Sequence, residues 1–285
     1  MRIVLAAAAI SVVAMEASAQ SSCGSYDFAG PFLEAFTAGA PFEGAGQAAE
    51  TITTLADGVC HQDILLTSMK DVYGDVVGYK AAATSAGAQK QLGLDGPVLG
   101  VFFEEMLLPD GSTIAVDDGA RLIFELDLLV RVADPALADA TTQDEALSGI
   151  DAVIPFIELG DLMAAKGAAI TGPLVQAMNA GARFGVMGSP VAIDGLTAET
   201  FAASTGVLTK DGAVVAEAPA TALLGHPLDA VLWIAAATKA RGMELKAGDL
   251  LSLGSLGRFQ LATPGEVVAS YTFGGEDASV SATLE

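Results

Sequence analysis

Two apolar runs that contain acidic residues constrain the fold of this chain more than any other feature. The first run, residues 122–130 (LIFELDLLV), has no Gly or Pro and predicts a buried β-strand. The second run, Ile154 to Leu159, predicts another strand and carries Glu158. Because side chains alternate along a strand, Glu125 and Asp127 share one face and the apolar side chains between them take the other.

The three acids have two readings that the pattern alone leaves open. Carboxylates from two strands that converge would suit Mg²⁺ or Mn²⁺, because these hard cations prefer carboxylate oxygens and keep open positions for substrate. The pair Glu125 and Asp127 could instead form the solvent face of an edge strand, with Glu158 as a surface residue between core positions. A resemblance described below favours the metal site.

The charge balance excludes nucleic acid as a partner. The 285 residues include 13 Lys and Arg against 35 Asp and Glu, which gives a formal net charge of −22. Binding to phosphate backbones requires clustered cations, which this composition lacks. The length is sufficient for one sizeable domain.

The first nineteen residues predict a secretory signal peptide. Arg2 precedes an apolar run from Ile3 to Met15, and Ala17-Ser18-Ala19 forms a small-residue cleavage site. We therefore expect residues 1–19 to be removed and residues 20–285 to form one domain that is exported to the periplasm or outside the cell. The run is too short for a comfortable membrane span, so we expect no membrane partner after cleavage.

The chain has two cysteines, Cys23 and Cys60. In an exported protein an even pair favours a disulfide. Two unrelated buried thiols are the alternative, and the sequence does not decide between them.

The remaining pattern predicts an α+β domain with a mainly helical N-terminal part at residues 20–75. The segment from Gly225 to Gly242 predicts a helix with Pro227 in its first turn. Asp211-Gly212 predicts the tip of a β-hairpin. Short strands are predicted at residues 76–80, 101–107, 249–253, 258–261, 267–273 and 280–284, and a weak helix at residues 84–92.

Several short motifs, in this order along the chain, resemble the 2-keto-4-pentenoate hydratase family of the fumarylacetoacetate hydrolase-like superfamily. The resemblance covers most of the chain from Pro31 onwards and rests on the order and spacing of the motifs. They are Val77-Gly78-Tyr79-Lys80, Thr84-Ser85, residues 91–97 (QLGLDGP), Glu125-x-Asp127, Glu158, Asn179-Ala180, residues 224–228 (LGHPL), Ala247-Gly248-Asp249 and residues 254–257 (GSLG).

The resemblance implies a rolled mixed β-sheet with N-terminal helices, usually in a homo-oligomer. It implies Glu125, Asp127 and Glu158 as ligands of Mg²⁺ or Mn²⁺, which would hold a 2-oxo or 2-enol acid. It also implies Lys80 as the catalytic lysine and Asp95 as an active-site loop aspartate. Apart from the resemblance, Lys80 is better explained as a solvated strand-end lysine, and Asp95 is equally a turn former.

Three positions depart from the family pattern. Asp127 stands where the hydratases usually carry Glu, Gly181 where a Ser follows Asn-Ala, and Leu253 where a Thr precedes the glycine. The carboxylate is kept, but two hydroxyls are lost from the expected substrate pocket. An export signal is also unusual for this family.

Three functions remain open from the sequence. The first is a hydratase that adds water to a 2-hydroxypenta-2,4-dienoate-type acid. The second is a sister enzyme, a 2-oxo-acid decarboxylase or an acylpyruvate hydrolase. The third is a catalytically silent, exported carboxylate-binding protein. A Ser-His-Asp hydrolase has little support, because only His61 and His226 are available and His226 is better explained as a helix-entry residue.

Overall fold

The computed structural model describes residues 23–165 and 167–285. The predicted signal peptide at residues 1–19 lies outside these ranges. In the described part of the chain, no helix combines the length and the apolar character that crossing a bilayer requires.

Eight α-helices occur in the described residues, and the first three form the N-terminal helical part that the sequence predicts. The longest, α3, begins with reciprocal hydrogen bonds: the Thr54 hydroxyl accepts from the Asp57 amide, and the Asp57 carboxylate accepts from the Thr54 amide. The helices are α1 (Ala29–Thr37), α2 (Ala45–Thr51), α3 (Leu55–Tyr73), α4 (Ala86–Leu92), α5 (Gln143–Ser148), α6 (Gly172–Ala177), α7 (Ala198–Ala202) and α8 (Pro227–Ala240).

Fourteen β-strands lie in the same ranges of the chain. They are β1 (Val76–Ala82), β2 (Val98–Phe103), β3 (Leu107–Pro109), β4 (Ser112–Ile114), β5 (Leu122–Val132), β6 (Ile150–Asp161), β7 (Ala182–Met187), β8 (Val191–Ala192), β9 (Thr205–Lys210), β10 (Ala213–Pro219), β11 (Leu250–Ser252), β12 (Gln260–Leu261), β13 (Gly265–Phe273) and β14 (Glu276–Leu284). The acid-bearing runs are the two long central strands, β5 and β6.

The strands form two sheets. The larger is mixed, in the order β2-β1-β11-β5-β6-β7-β3, with β12 beside β5 and β8 beside β6. In this sheet β1 runs parallel to β11, and β3 runs parallel to β7. The smaller sheet has the order β10-β9-β13-β14-β4. The architecture therefore confirms the α+β class and the mixed sheet with N-terminal helices.

The two sheets pack against each other across the apolar face of β5 and β6. Leu126 on β5 lies beside Gly206 of the second sheet. A Cβ at position 206 would lie 3.2 Å from the Leu126 side chain. Strand alternation then turns Glu125 and Asp127 to the opposite face. The core thus fixes which side of the large sheet carries the acids.

One predicted strand is wrong in its bounds. The sequence predicts a strand at residues 101–107, but β2 spans Val98–Phe103 and a single 3₁₀ turn follows at Glu104–Met106. The chain leaves β2 there because the next strand, β3, pairs with β7 on the far edge of the sheet. An apolar run alone does not reveal this change of partner.

The disulfide prediction is confirmed. Cys23 is bonded to Cys60 with a Cα–Cα distance of 5.6 Å. The bond joins the N-terminal segment to α3. The helix-entry interpretation of His226 is confirmed as well, because its Nδ1 accepts a hydrogen bond from the Leu228 amide at 3.1 Å at the start of α8.

Candidate metal centre

The register of β5 and β6 brings the three acids together. Glu125 and Glu158 stand directly opposite each other on these antiparallel strands, and Asp127 follows two residues later on the same face. One carboxylate oxygen from each residue can be chosen so that all three lie within 4.8 Å of one another. A slip of one residue in this register would turn the acids of one strand to the other face.

The acids lie inside the protein. Asp127 is 0% exposed and Glu158 is 2% exposed, while Glu125 is partly exposed. The edge-strand alternative therefore does not describe this site, because β5 has paired neighbours on both sides. Buried carboxylates are costly unless they are hydrogen-bonded, paired with cations or bound to metal.

Backbone and hydroxyl donors hold Asp127 in place. One of its oxygens accepts from the Ser252 hydroxyl at 2.7 Å, and the other accepts from the amides of Gly254 at 3.1 Å and of Leu128. The Ser252 hydroxyl also lies 3.4 Å from the second oxygen of Glu158. Ser252 thus joins two of the three acids from the neighbouring strand β11.

Lys80 on β1 reaches the acid cluster from the other side of β11. Its side chain is 5% exposed, and its ammonium group forms an ion pair with Glu158. The ammonium also donates to the Ala180 carbonyl at 3.4 Å. The structure therefore brings Lys80 together with all three predicted metal-binding acids.

Burial governs the ionisation of these groups. Desolvation raises the pKa of Glu125 to about 7, with Lys80 acting in the opposite direction and Asp127 adding to the rise. Desolvation also raises the pKa of Asp127, against the lowering effect of the Ser252 hydrogen bond. The pKa of Lys80 is lowered by desolvation, which the charges of Glu125 and Asp127 oppose.

The donor set fits a divalent cation. Three carboxylates and one ammonium leave two uncompensated negative charges when all are ionised, and one divalent cation would neutralise them. Carboxylate oxygens are the ligands that Mg²⁺ and Mn²⁺ prefer. The ligands that would hold the ion are Glu125, Asp127 and Glu158.

Asp95 does not join this cluster through any contact in the described residues. It is exposed in the turn between α4 and β2. Its neighbour Leu94 is buried and packs in a small apolar cluster with Val98 and Ala180. The loop therefore lies next to the turn that contacts Lys80, and the catalytic role of Asp95 stays a prediction.

The structure also shows where Gly181, Leu253 and His61 lie. Gly181 follows Ala180 in a left-handed conformation with φ +71°, and Leu253 is fully buried next to Ser252. His61 lies among the rings of Tyr26 and Phe28 in the N-terminal part. No hydrogen bond, ion pair or ring contact described for His61 reaches the acids.

Sequence reasoning missed Ser252, which bridges two of the acids. It singled out Asn179-Ala180 as a motif but missed the contact of this turn with Lys80. A sequence signal for Ser252 exists: it is a polar residue in an apolar strand, two residues before Gly254. Its function is visible only when β11 is known to lie between β1 and β5, because Ser252 then stands opposite both Lys80 and Leu129.

Known proteins resemble this chain in sequence. Residues 71–276 match the fumarylacetoacetate (FAA) hydrolase C-terminal family. A 2-keto-4-pentenoate hydratase of Paraburkholderia xenovorans strain LB400 is 30% identical over 194 residues, which cover 67% of this chain and 70% of the relative. A 4-oxalocrotonate decarboxylase of Pseudomonas putida is 25% identical over 194 residues, 67% of this chain and 71% of the relative.

A solved structure extends the similarity to nearly the whole described chain. The 4-oxalocrotonate decarboxylase from Pseudomonas putida G7, complexed with magnesium and adipate, superposes with a TM-score of 0.77. The match covers 89% of this chain and 94% of that chain at 23% sequence identity. This similarity establishes the fold.

Proposed function

Because the chain belongs to the fumarylacetoacetate hydrolase C-terminal family and is an enzyme of the 2-keto-4-pentenoate hydratase type, we propose that it adds water to a 2-hydroxypenta-2,4-dienoate-type acid with the help of Mg²⁺ or Mn²⁺. The observation that carries this proposal is the pairing of Glu125 opposite Glu158, with Asp127 on the same face and Lys80 against Glu158.

The residues of the site would have separate roles in the reaction. A divalent ion held by Glu125, Asp127 and Glu158 would supply positive charge for the carboxylate and 2-oxygen of the substrate. Ser252 and the Gly254 amide hold the Asp127 carboxylate in its orientation. Lys80 would move the proton of the 2-hydroxyl to C5 of the dienoate, which leaves a 2-oxo-3-enoate.

Water then completes the reaction by adding its hydroxyl at C4 and a proton at C3, which gives a 4-hydroxy-2-oxo acid. Burial lowers the pKa of Lys80, which makes its amine a better proton acceptor than an exposed lysine and supports this role. We place Asp95 in the same proposal as a loop residue that approaches the substrate, supported by the packing of Leu94 against Ala180.

A second candidate is decarboxylation of 4-oxalocrotonate, which the 25% identical relative favours. A dicarboxylic substrate carries one more negative charge than a dienoate. In the described part of the chain, Lys80 is the cation whose charge acts on both Glu125 and Asp127, and it is already paired with Glu158. We therefore favour the monocarboxylic substrate and hydration.

Steady-state assays distinguish these functions. The purified protein, with Mg²⁺ or Mn²⁺ and after chelation, is given a 2-hydroxy-2,4-dienoate, 4-oxalocrotonate and an acylpyruvate. We expect metal-dependent loss of the dienoate with formation of the 4-hydroxy-2-oxo acid. Release of CO₂ from 4-oxalocrotonate would select the decarboxylase, and cleavage of the acylpyruvate would select the hydrolase. Calorimetric binding of a 2-oxo acid without turnover of any substrate would select a silent binding protein.

We also propose that the protein is exported and forms a homo-oligomer. The disulfide between Cys23 and Cys60 supports export, because such bonds persist in oxidising compartments. The apolar side chains of Val214, Phe259 and Leu261 are 60%, 49% and 59% exposed. Exposed apolar side chains of this kind support an interface between copies of the chain. Mass spectrometry of the protein from its host should find Gln20 at or near the N-terminus. Light scattering should give at least twice the mass of one cleaved chain, which is itself smaller than the 28.7 kDa of the whole sequence. An intact Met1 form in the cytoplasm would refute export, and a monomeric mass would refute the oligomer.

A further inference from the structure

The side chain of Lys80 passes over a glycine of the neighbouring strand. Gly100 on β2 is the register partner of Lys80 on β1. A Cβ at position 100 would lie 2.6 Å from Cγ and 2.9 Å from Cδ of Lys80, and 3.0 Å from the Cβ of Ala180. Non-bonded carbon atoms do not approach this closely unless one of the groups moves. Any side chain at position 100 would therefore push away either the lysine stem or the turn that carries Ala180.

The ammonium end of Lys80 contacts a turn with an unusual backbone. Asn179, Ala180 and Gly181 are three consecutive residues in the left-handed region, with φ values of +54°, +53° and +71°. This region is disfavoured for Ala and less so for Asn, so surrounding contacts must hold Ala180 there. The turn directs the Ala180 carbonyl to the Lys80 ammonium at 3.4 Å.

The Asn179 side chain provides that restraint. It is buried, and its amide nitrogen donates to the Val101 carbonyl at 2.9 Å while its amide oxygen accepts from the Val101 amide at 2.8 Å. The same oxygen accepts from the Gln62 amide at 3.0 Å. Asn179 thus pairs with β2 as an additional strand would. Its partner Val101 is the residue next to Gly100.

We propose that Asn179 and Gly100 are positioning residues that act through Lys80. Gly100 leaves room for the lysine stem, and Asn179 holds the turn whose Ala180 carbonyl directs the ammonium group. The inference rests on the proposed role of Lys80 in proton transfer. A misplaced proton-transferring group lowers the rate of the chemical step and leaves substrate binding in place.

Kinetics of Asn179→Ala and Gly100→Ala test the inference. We expect kcat to fall about 10²-fold, with KM and the metal-induced rise in Tm close to those of the wild type. If Asn179→Ala does not fold, Asn179→Asp replaces it, because the carboxylate keeps the acceptor oxygen and loses the donor to Val101. Unchanged kcat in folded variants, or a loss confined to KM, would overturn the proposal.

Two control variants separate positioning from general destabilisation. Gln176 makes the same kind of paired hydrogen bonds on the same strand, with the Leu99 amide at 3.3 Å and the Leu99 carbonyl at 2.9 Å. It lies outside the left-handed turn and reaches Asn179 only through Gln62, so Gln176→Ala should lower Tm and reduce kcat far less than Asn179→Ala does. Gly46→Ala places a Cβ in open space within α2, so it should keep kcat and should not lower Tm. An equal loss of kcat in Gln176→Ala would contradict a specific role for Asn179.

A double-mutant cycle gives the decisive measurement. In a Lys80→Met background, Asn179→Ala should cause no further loss of the residual kcat, because the group that it positions is already gone. A structural effect independent of Lys80 would instead multiply the two losses, and that result would overturn the inference.

Failure of the proposed function can be recognised separately. If the wild type turns over no tested substrate, the function is wrong, and crystal structures of the wild type and of Asn179→Ala judge the positioning. Movement of the lysine nitrogen away from the Ala180 carbonyl in the variant supports the inference. An unmoved nitrogen refutes it.

Discussion

The buried carboxylates of β5 and β6 keep their positions through a few specific donors. Asp127 has the Ser252 hydroxyl and two backbone amides, and Glu158 has the Lys80 ammonium. Glu125 has no such donor among the described contacts, and burial raises its pKa to about 7. Glu125 is therefore the acid whose charge most depends on an additional cation.

Replacement of the acids should remove metal-dependent stabilisation. At a metal concentration of 100 times Kd, binding to the native state adds about 2.7 kcal/mol to the free energy of unfolding. We expect Glu125→Ala and Glu158→Ala to lose most of this gain and any activity, and Asp127→Glu to be the mildest change because the carboxylate remains. Calorimetric titration with Mg²⁺ and Mn²⁺ measures the effect. Wild-type affinity in both alanine variants would show that the acids do not bind the ion.

Removal of the Ser252 hydroxyl should weaken metal binding without abolishing it. The hydroxyl orients Asp127 and lies near Glu158, and loss of such a supporting hydrogen bond typically costs about 10–100-fold in metal affinity. Ser252→Ala is compared with Ser255→Ala. Among the described contacts, the Ser255 hydroxyl bonds to the Gly257 backbone and not to the acids. Equal affinities in the two variants would contradict the role of Ser252.

Loss of the Lys80 amine should slow turnover strongly and spare the metal site. Lys80→Met keeps the apolar stem and removes the proton-transferring group, which typically costs about 10²–10⁴-fold in rate. The metal-induced rise in Tm should persist, because Lys80 is not one of the oxygen donors. A variant with near-normal kcat would show that the lysine serves only as a counter-charge for Glu158.

At the scale of elements, neighbouring strands supply the separate parts of the centre. The order β2-β1-β11-β5-β6 sets side by side Gly100, Lys80, Ser252 and the acids of β5 and β6. Helix α3 supports this edge, since its Gln62 donates to Asn179 and to the Leu99 carbonyl. The disulfide ties the start of the described chain to the same helix.

The disulfide should stabilise the fold substantially. It closes a loop across a sequence separation of 37 residues, for which the chain-entropy relation gives roughly 3–4 kcal/mol. We expect Cys23→Ser with Cys60→Ser to lower the free energy of unfolding by up to this amount. Denaturant unfolding of the double variant measures the loss, and equal midpoints for the oxidised wild type and the variant would contradict it.

At the scale of the whole molecule, the metal-free protein should lose stability as pH rises from about 4.5 to about 7. The folded pKa of Glu125 is raised to about 7 from 4.5, so the native state binds more protons than the unfolded state in this window. The raised pKa of Asp127 acts in the same direction. Above this window, the loss of unfolding free energy caused by ionisation of Glu125 is complete.

Thermal unfolding of protein freed of metal by a chelator, measured between pH 5 and pH 8, tests this dependence. Other groups titrate as well, and the lowered pKa of His61 acts in the opposite direction. The comparison is therefore between the wild type and Glu125→Gln, which lacks the titrating group. We expect a shallower fall in the variant and in metal-loaded wild type. Parallel curves for all three samples would show that Glu125 contributes nothing.

Local pattern alone determined several parts of this protein. The two apolar runs that contain the acids predicted β5 and β6. Pro227 and Gly242 bounded α8, and Asp211-Gly212 marked the hairpin of β9 and β10. These features depend on neighbours within a few residues, and the hydrophobic period carries that information. The order of short motifs added the family and, with it, the fold.

Only the tertiary structure decided how distant residues meet. It placed Glu125 opposite Glu158, set Ser252 between Lys80 and Asp127, and let Asn179 pair with β2. It also ended β2 at Phe103, where the sequence predicts a continuing strand. Strand order and register arise from the packing of the whole core, and no window of neighbouring residues contains them. For this reason the sequence identified the acids, and the fold revealed the residues that hold them and Lys80 in position.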